Sequence, residues 1–592
     1  MNCPSVDRGD QTVVHKFAEK LDQCPDAIAV YIVRSDGIVD EVSYGSLHSL
    51  ASQAARGFQE FDIRQFDRIL IGPPSSRETL GIYLGALYAG VIPLMIPEPP
   101  PSQRAGLRGT LVERIARETD AKAIILTHSS RNEIGSNVAK RVVDVQSVLK
   151  CGVATIKPLC ASAEIAHLQV TSGTTGDPQV AIIRHANISA NVRAIAKAIE
   201  VRANDRIVSW LPLCHDMGLI CVCCAFYWQR PLILTDAGNF VRNPIKYWLR
   251  LITDFGGTIS AAPTSAYQVC SRLAQKRKFE DLDLSRWRVA FCGSEAVYEQ
   301  TWRDFQMAFA SRGFAANAFL PVYGLAEATL AATIPSIGSP PEAENIARSI
   351  LEKKGRAVPC DQCRDWVTMI SVGKPISGHS LRIVSADDRV APERVVGEIE
   401  FAGPSVIDGY WNQATSAGLK SSAGYLRTGD MGYLAEGRLF VTGRKKDIII
   451  CAGRNLSPHQ IESVAASAVK KTPVSGVAAI GLPSIERGTE ELHLLLESAA
   501  VPFKNPVTIE EQIRSALRDT FSVMPAKIHW MRKGQIPKTS NGKIQRYRCK
   551  EVVLNMIQKA PSGLKWKRDD KRQSRISQNP APETHDALES VG

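Results

Sequence analysis

The feature that most narrows the possible fold is a repeated switch of hydrophobic period across residues 1 to about 160. The stretch VVHKFAEKLDQ carries helical spacing, AIAVYIV is a strand-like run, YGSLHSLASQAARGFQEF returns to the helical period, and RILIGP is again strand-like. Such alternation argues for parallel sheets wrapped by helices. The Pro-rich IPEPPPSQ (96–103) is a connection inside this unit, because LVERIARETDAKAIILT resumes the pattern. A second alternating block runs from Ile207 to about Ile334. The polar stretch that follows is longer than a normal connection, which marks it as functional or mobile.

From Ser371 to about Val441 short strands with Gly turns (HSLRIV, GEIEFAG, GRLFVTG) predict a barrel-like or mixed subdomain. After GRKKD the chain restarts as a small α+β unit. The fold class is therefore α/β: a large N-terminal domain over 1–445, comprising α/β units 1–160 and 161–334, an insertion-like segment 335–370 and a barrel-like subdomain 371–445. A small C-terminal domain covers 446–559, and a polar basic tail, 560–592, is predicted to be disordered.

At 592 residues the chain exceeds one core, and 44% hydrophobic with 22% charged residues is ordinary globular composition. The longest apolar run, GIYLGALYAGVIPLMIP, is broken by Pro93 and Pro97, which predicts a buried helix and a core strand, not a membrane span. The N-terminus has no basic region followed by an apolar one, so the cytoplasm is the expected location. Fourteen cysteines, several inside apolar runs such as ICVCCAF, suit reduced buried thiols. Cys360 and Cys363 form a lone CxxC and read as two loop cysteines. The net charge of +12 is partly concentrated in the tail, where seven basic residues fall between Lys559 and Arg575. A solvated tail accounts for that charge, and no specific nucleic-acid partner is expected.

Five short stretches carry possible chemistry. VTSGTTGDPQVAII (170–183) could hold phosphate through backbone NH groups and the hydroxyls of Thr171, Ser172, Thr174 and Thr175, or be a hairpin turn; it lacks the Walker spacing, and Gln179 falls where a lysine might be looked for. WLPLCHDMGLI places His215 and Asp216 between a strand and an apolar helix. VYGLAEATL offers Tyr323 to stack on a base and Glu327 as a magnesium ligand or a cap. YLRTGDMGYL sets Asp430 in a Gly-flanked turn between strands, able to accept ribose hydroxyls or to satisfy its own turn. IPKTSNGKIQR presents Lys543 on a Gly turn.

In this order and spacing, with LDLSRWRVAFCGSEAV and GRKKDIIICAGRNLSPHQIE, the stretches resemble the adenylate-forming superfamily of acyl-CoA synthetases, adenylation domains and luciferases, most closely its fatty acyl-AMP ligases. The resemblance spans roughly residues 12 to 550. It implies ATP and magnesium as cofactors, a carboxylic acid substrate, and a carrier-protein thiol as acceptor, with acyl-CoA ligation and amino-acid adenylation as the alternatives. Thr171, Ser172, Gly173, Thr174, Thr175 and Gly176 would wrap the ATP phosphates, and Gly293, Ser294, Glu295, Tyr323 and Gly324 would shape the adenine pocket. Asp430 would hold the ribose hydroxyls, Arg444 ribose or phosphate, and Glu327 magnesium. Lys446 matches the hinge about which the small domain swings. Lys543 matches the lysine that bridges substrate carboxylate and α-phosphate, and His215 is the second catalytic candidate.

Met217, Gly218, Cys221 and Val222 would line the acyl pocket. The segment 335–366 lies where acyl-AMP ligases carry an insertion thought to impede use of coenzyme A. The chain departs from the pattern at Gln179-Val180, where Lys-Gly is usual, at Ala296, where Pro is common, and at Cys221-Val222, where glycines often line the acyl tunnel. Side chains there would narrow the tunnel and favour a short, branched or unusual acid.

Overall fold

The computed structural model describes residues 11–72, 74–96, 107–127, 141–150, 164–171, 179–277, 279–360, 365–412, 418–451, 454–469, 472–484, 489–499, 506–538 and 543–558. Two sheets dominate the large domain. One has six strands in the order Val142–Asp144, Ala123–Leu126, Arg68–Ile71, Ile92–Met95, Ile165–Thr171, Gln179–Arg184. The other has seven, in the order Phe319–Pro321, Val289–Gly293, Ile259–Pro263, Ile207–Ser209, Leu232–Thr235, Ile28–Val33, Val39–Ser43. Each is parallel except for an antiparallel strand at one edge. Central strands such as RILI, AIIL and LILT are almost wholly apolar and buried, the pattern of parallel strands covered on both faces.

The sheets do not respect the expected division at residue 160. Strands Ile28–Val33 and Val39–Ser43 join the later sheet, through Val30 opposite Leu232, while Ile165–Thr171 and Gln179–Arg184 complete the earlier one. Periodicity identifies strands but carries no information on which sheet's edge a strand joins.

The long apolar run resolves into the helix Arg77–Ala89 and the strand Ile92–Met95, as expected. Ser76 caps the helix by accepting from Thr79 N, and Gly90, at φ 65°, ends it in the left-handed conformation. No helix among the described residues is long and apolar enough to cross a membrane.

Beyond Ile334 the expected polar insertion contains an antiparallel hairpin, Ala343–Ala347 with Trp366–Ile370, and the helix Arg348–Lys354. Cys360, just past it, is disulfide-bonded, and Cys363 lies outside the described residues. The subdomain after it is a four-stranded antiparallel sheet, Ser380–Val384, Gly397–Ala402, Leu426–Ala435, Arg438–Arg444. The C-terminal part packs the helices Pro458–Ala468, Pro506–Phe521 and Arg546–Gln558 on a sheet of Val474–Ser484, Thr489–Ser498 and Lys527–Arg532. Its core, including Leu494, Leu496, Ile513 and Leu517, is separate from those of the large domain. The tail 560–592 lies outside the described residues.

Candidate active site

The site begins where the six-stranded sheet ends. The strand Ile165–Thr171 turns its alternate side chains His167, Gln169 and Thr171 into the buried interior. The Gln169 amide donates to the Cys214 carbonyl at 2.7 Å, tying this strand to the loop before His215. Thr171 pairs across the ladder with Gln179, and its buried Oγ1 has no hydrogen-bond partner among the described residues. A buried hydroxyl left unpaired is costly unless something else satisfies it. The remaining loop positions, Ser172, Gly173, Thr174, Thr175 and Gly176, lie outside the described residues.

His215 occupies the N-cap of the helix Asp216–Trp228 without a side-chain cap bond. Burial pushes its imidazole down to about 4, Asp216 opposes and Lys543 reinforces the shift. Gly218 packs so tightly that a Cβ would lie 2.2 Å from the Pro212 carbonyl oxygen, so it serves helix packing. Met217 and Cys221, one turn apart, lie against the aromatic core built on Trp210, Phe240 and Trp248. Val222, 100° further round the helix than Cys221, is fully buried in the other core, which also holds Phe17 and Ile188.

Asp430 also differs from its expected setting. It lies within the strand Leu426–Ala435, not in a turn, directly opposite Arg444 of the next strand. The flanking glycines mark a bulged strand: Gly429 has φ 71° and the register shifts between Met431 and Gly432. The ladder brings Arg444 Nε to 3.2 Å from Asp430 Oδ1, while the Tyr323 hydroxyl donates to Oδ2 at 2.8 Å. Asp430 holds the Arg444 guanidinium firmly charged.

Tyr323 and Gly324 form a short strand beside Ala331–Ile334, where a Cβ on Gly324 would fall 2.0 Å from the Leu330 carbonyl oxygen. Glu327 follows in the turn Ala326–Ala328 and accepts a 2.8 Å bond from the Tyr410 hydroxyl. Burial raises its carboxyl despite that bond. Gly293 ends a parallel strand, Ser294 adopts φ 70°, and Glu295 caps the helix Thr264–Lys276, accepting from Ser265 N at 2.9 Å. Tyr410, and the capping task of Glu295, had no local sequence signal; both depend on contacts distant along the chain.

Lys446 occupies the turn after the strand Arg438–Arg444, where Asp447 N bonds to Arg444 O. Lys543, far along the chain, lies within electrostatic reach of Arg444 and the site's carboxylates. Burial and the neighbouring Arg444 lower its ammonium below the ordinary lysine value, while Asp216, Glu295 and Asp430 pull it back up. One cation from the small domain thus faces carboxylates from three separate elements of the large one. Such an arrangement neutralises charge between two anionic reactants.

AMP-binding enzymes match residues 17–411. The chain belongs to the AMP-binding enzyme family. It is 31% identical over 540 residues to a provisionally named acyl-CoA synthetase of Caulobacter vibrioides, covering 89% of this chain and 92% of that one. The medium-chain-fatty-acid–[acyl-carrier-protein] ligase JamA of Moorena producens is 31% identical, over 87% of this chain and 90% of its own. The long-chain-fatty-acid–AMP ligase FadD26 of Mycobacterium tuberculosis is 30% identical, over 92% and 97%. A solved fatty acyl-adenylate ligase from E. coli or L. pneumophila superposes with a TM-score of 0.83 at 28% identity, covering 92% of this chain and 98% of its own. The expected α/β fold and family are thereby met.

Proposed function

We propose that the protein activates a carboxylic acid with ATP, forming acyl-AMP and pyrophosphate, and then passes the acyl group to a phosphopantetheine thiol on a carrier protein. The convergence of Lys543 with Asp216, Glu295, Asp430 and Arg444 is the observation that carries this reading. In the first step a carboxylate oxygen bonds to the α-phosphorus and the bond to the pyrophosphate oxygen breaks. Two anions must meet, so positioning and charge neutralisation supply most of the acceleration. Lys543 would lie between carboxylate and α-phosphate, Asp430 with Arg444 would hold the ribose, and Thr171 would lend its unpaired hydroxyl to phosphate.

The residues fit magnesium. The buried, raised carboxyl of Glu327 is a hard oxygen ligand, and one carboxylate suffices where ATP phosphates supply further oxygens. Bound there, the ion would offset phosphate charge. In the second step the thiol sulfur bonds to the acyl carbon, AMP departs, and the thiol proton passes to solvent.

A carrier acceptor is supported by the name of JamA and by the inserted segment. Its helix Arg348–Lys354 meets the small domain, where Arg454 Nη1 is 3.8 Å from Glu352 and Arg348 lies over the Phe521 ring. That contact would restrain the small domain and disfavour coenzyme A. Supplying coenzyme A or a holo-carrier protein with ATP and acid decides the acceptor; acylated coenzyme A with an untouched carrier contradicts the reading.

Met217 and Cys221, filled in against aromatic side chains, support an acid shorter than a long fatty acid. Acid-dependent pyrophosphate release across a chain-length series tests this. Turnover of long-chain acids alone would overturn it.

A further inference from the structure

The residue that fixes where Lys543 stands is not Lys543 itself. Two legs, residues 536–538 and 543–545, touch at an isolated bridge between Lys538 and Ile544, with Gln545 N bonded to Pro537 O, and Lys543 belongs to the second. The first leg is anchored by Glu497, which is 2% exposed and accepts from Ile536 N at 2.6 Å and from Lys538 Nζ at 3.3 Å. The second leg runs directly into Arg546, the first residue of the helix Arg546–Gln558.

Arg546 is 7% exposed and multiply bonded. Its Nη2 donates to the Glu462 carboxylate, 2.9 and 2.8 Å from the two oxygens, and lies 3.1 Å from His459 Nδ1. Nη1 reaches Asp447 Oδ2 at 3.3 Å. Glu462 is itself fixed, accepting from Ala479 N at 2.9 Å, and although burial raises its carboxyl, Arg546 and His459 leave it lowered and charged. Tyr298 of the large domain lies within the field of this cluster, and its phenol is held protonated first by burial and then by Glu462.

We propose that Arg546 is a positioning residue for adenylation: it ties the leg bearing Lys543 to Glu462 and to Asp447, the residue after Lys446. Three residues span at most about 10 Å when extended, so an Arg546 held by charged, forked bonds leaves Lys543 little room to wander. Asp447 also helps to keep Arg444 charged, so one side chain connects both cations of the site. A lysine at 546 would keep the charge and lose the fork that reaches Glu462 and Asp447 together.

This inference rests on the adenylation reading. Competent sites are counted first, by binding of a non-reactive acyl-adenylate analogue, and acid-dependent pyrophosphate formation is then expressed per competent site. Arg546→Met is expected to lower that rate by about 30- to 100-fold with KM for ATP changed less than about threefold, and Arg546→Lys to recover only part of it. Asp447→Asn, which leaves the Glu462 fork intact, is expected to cost about three- to tenfold and carries the test where Arg546→Met leaves too few sites. An unchanged rate per competent site in both Arg546→Met and Asp447→Asn overturns the inference, as does a loss explained wholly by fewer sites. Wild-type protein that releases no pyrophosphate with any acid removes the adenylation reading, a result distinct from normal turnover in the variants.

Discussion

Lys543 is a cation kept where burial works against its charge, and the rate should register that. Burial first, then Arg444, lowers its ammonium below the ordinary 10.5, with Asp216, Glu295 and Asp430 opposing. As pH rises, Lys543 therefore loses its proton before a free lysine would, and adenylation should fall on an alkaline limb centred below pH 10.5. A profile of kcat/KM against pH, which reports the free enzyme, checks this; the limb should be missing from Lys543→Ala. His215, pushed down to about 4, stays neutral from pH 5 to 8 and adds no limb there. Asp430 makes a separate prediction. Replacing it by Ala strips Tyr323 and Arg444 of their shared acceptor, and KM for ATP should rise about tenfold or more. A smaller change in the ATP dependence of pyrophosphate release would mean the pair does not hold ribose.

At the scale of elements, two glycines are required by the close approach of neighbouring backbone. Gly218→Ala and Gly324→Ala would each drive a Cβ into a backbone carbonyl, at 2.2 and 2.0 Å, so each should cost about 1–3 kcal/mol in urea unfolding. The helix–strand alternation made most elements legible: the apolar run resolves into a buried helix and a core strand, as expected, although Pro93 falls inside the strand and the break comes at Gly90. The motif residues Tyr323, Glu327, Asp430, Arg444 and Lys543 were legible as a set. Asp430 in mid-strand was not, because glycines flanking a carboxylate look alike in a turn and in a bulge. Nor was the crossing of Ile28–Val33 into the later sheet, since edge choice is settled by tertiary packing.

For the whole molecule, buried neutral histidines tie folding to pH. Burial lowers His167 to about 3 and His185 and His215 to about 4, each from 6.5. Unfolded chains bind these protons first, so the stability is complete above pH 6.5 and is lost as pH falls from there toward 4. The urea midpoint should drop between pH 7 and pH 4.5, and His167→Gln should shrink that drop; an unchanged midpoint would contradict it. The larger claim is that two domains close one cation onto a ring of carboxylates in order to join an acid to AMP. The most direct measurement is pyrophosphate and acyl-AMP formed from ATP with and without carboxylic acids, in wild type and Lys543→Ala. The account predicts acid-dependent formation of both products, reduced about 10²- to 10³-fold in a variant that still folds. Near-normal acyl-AMP formation by folded Lys543→Ala would contradict it.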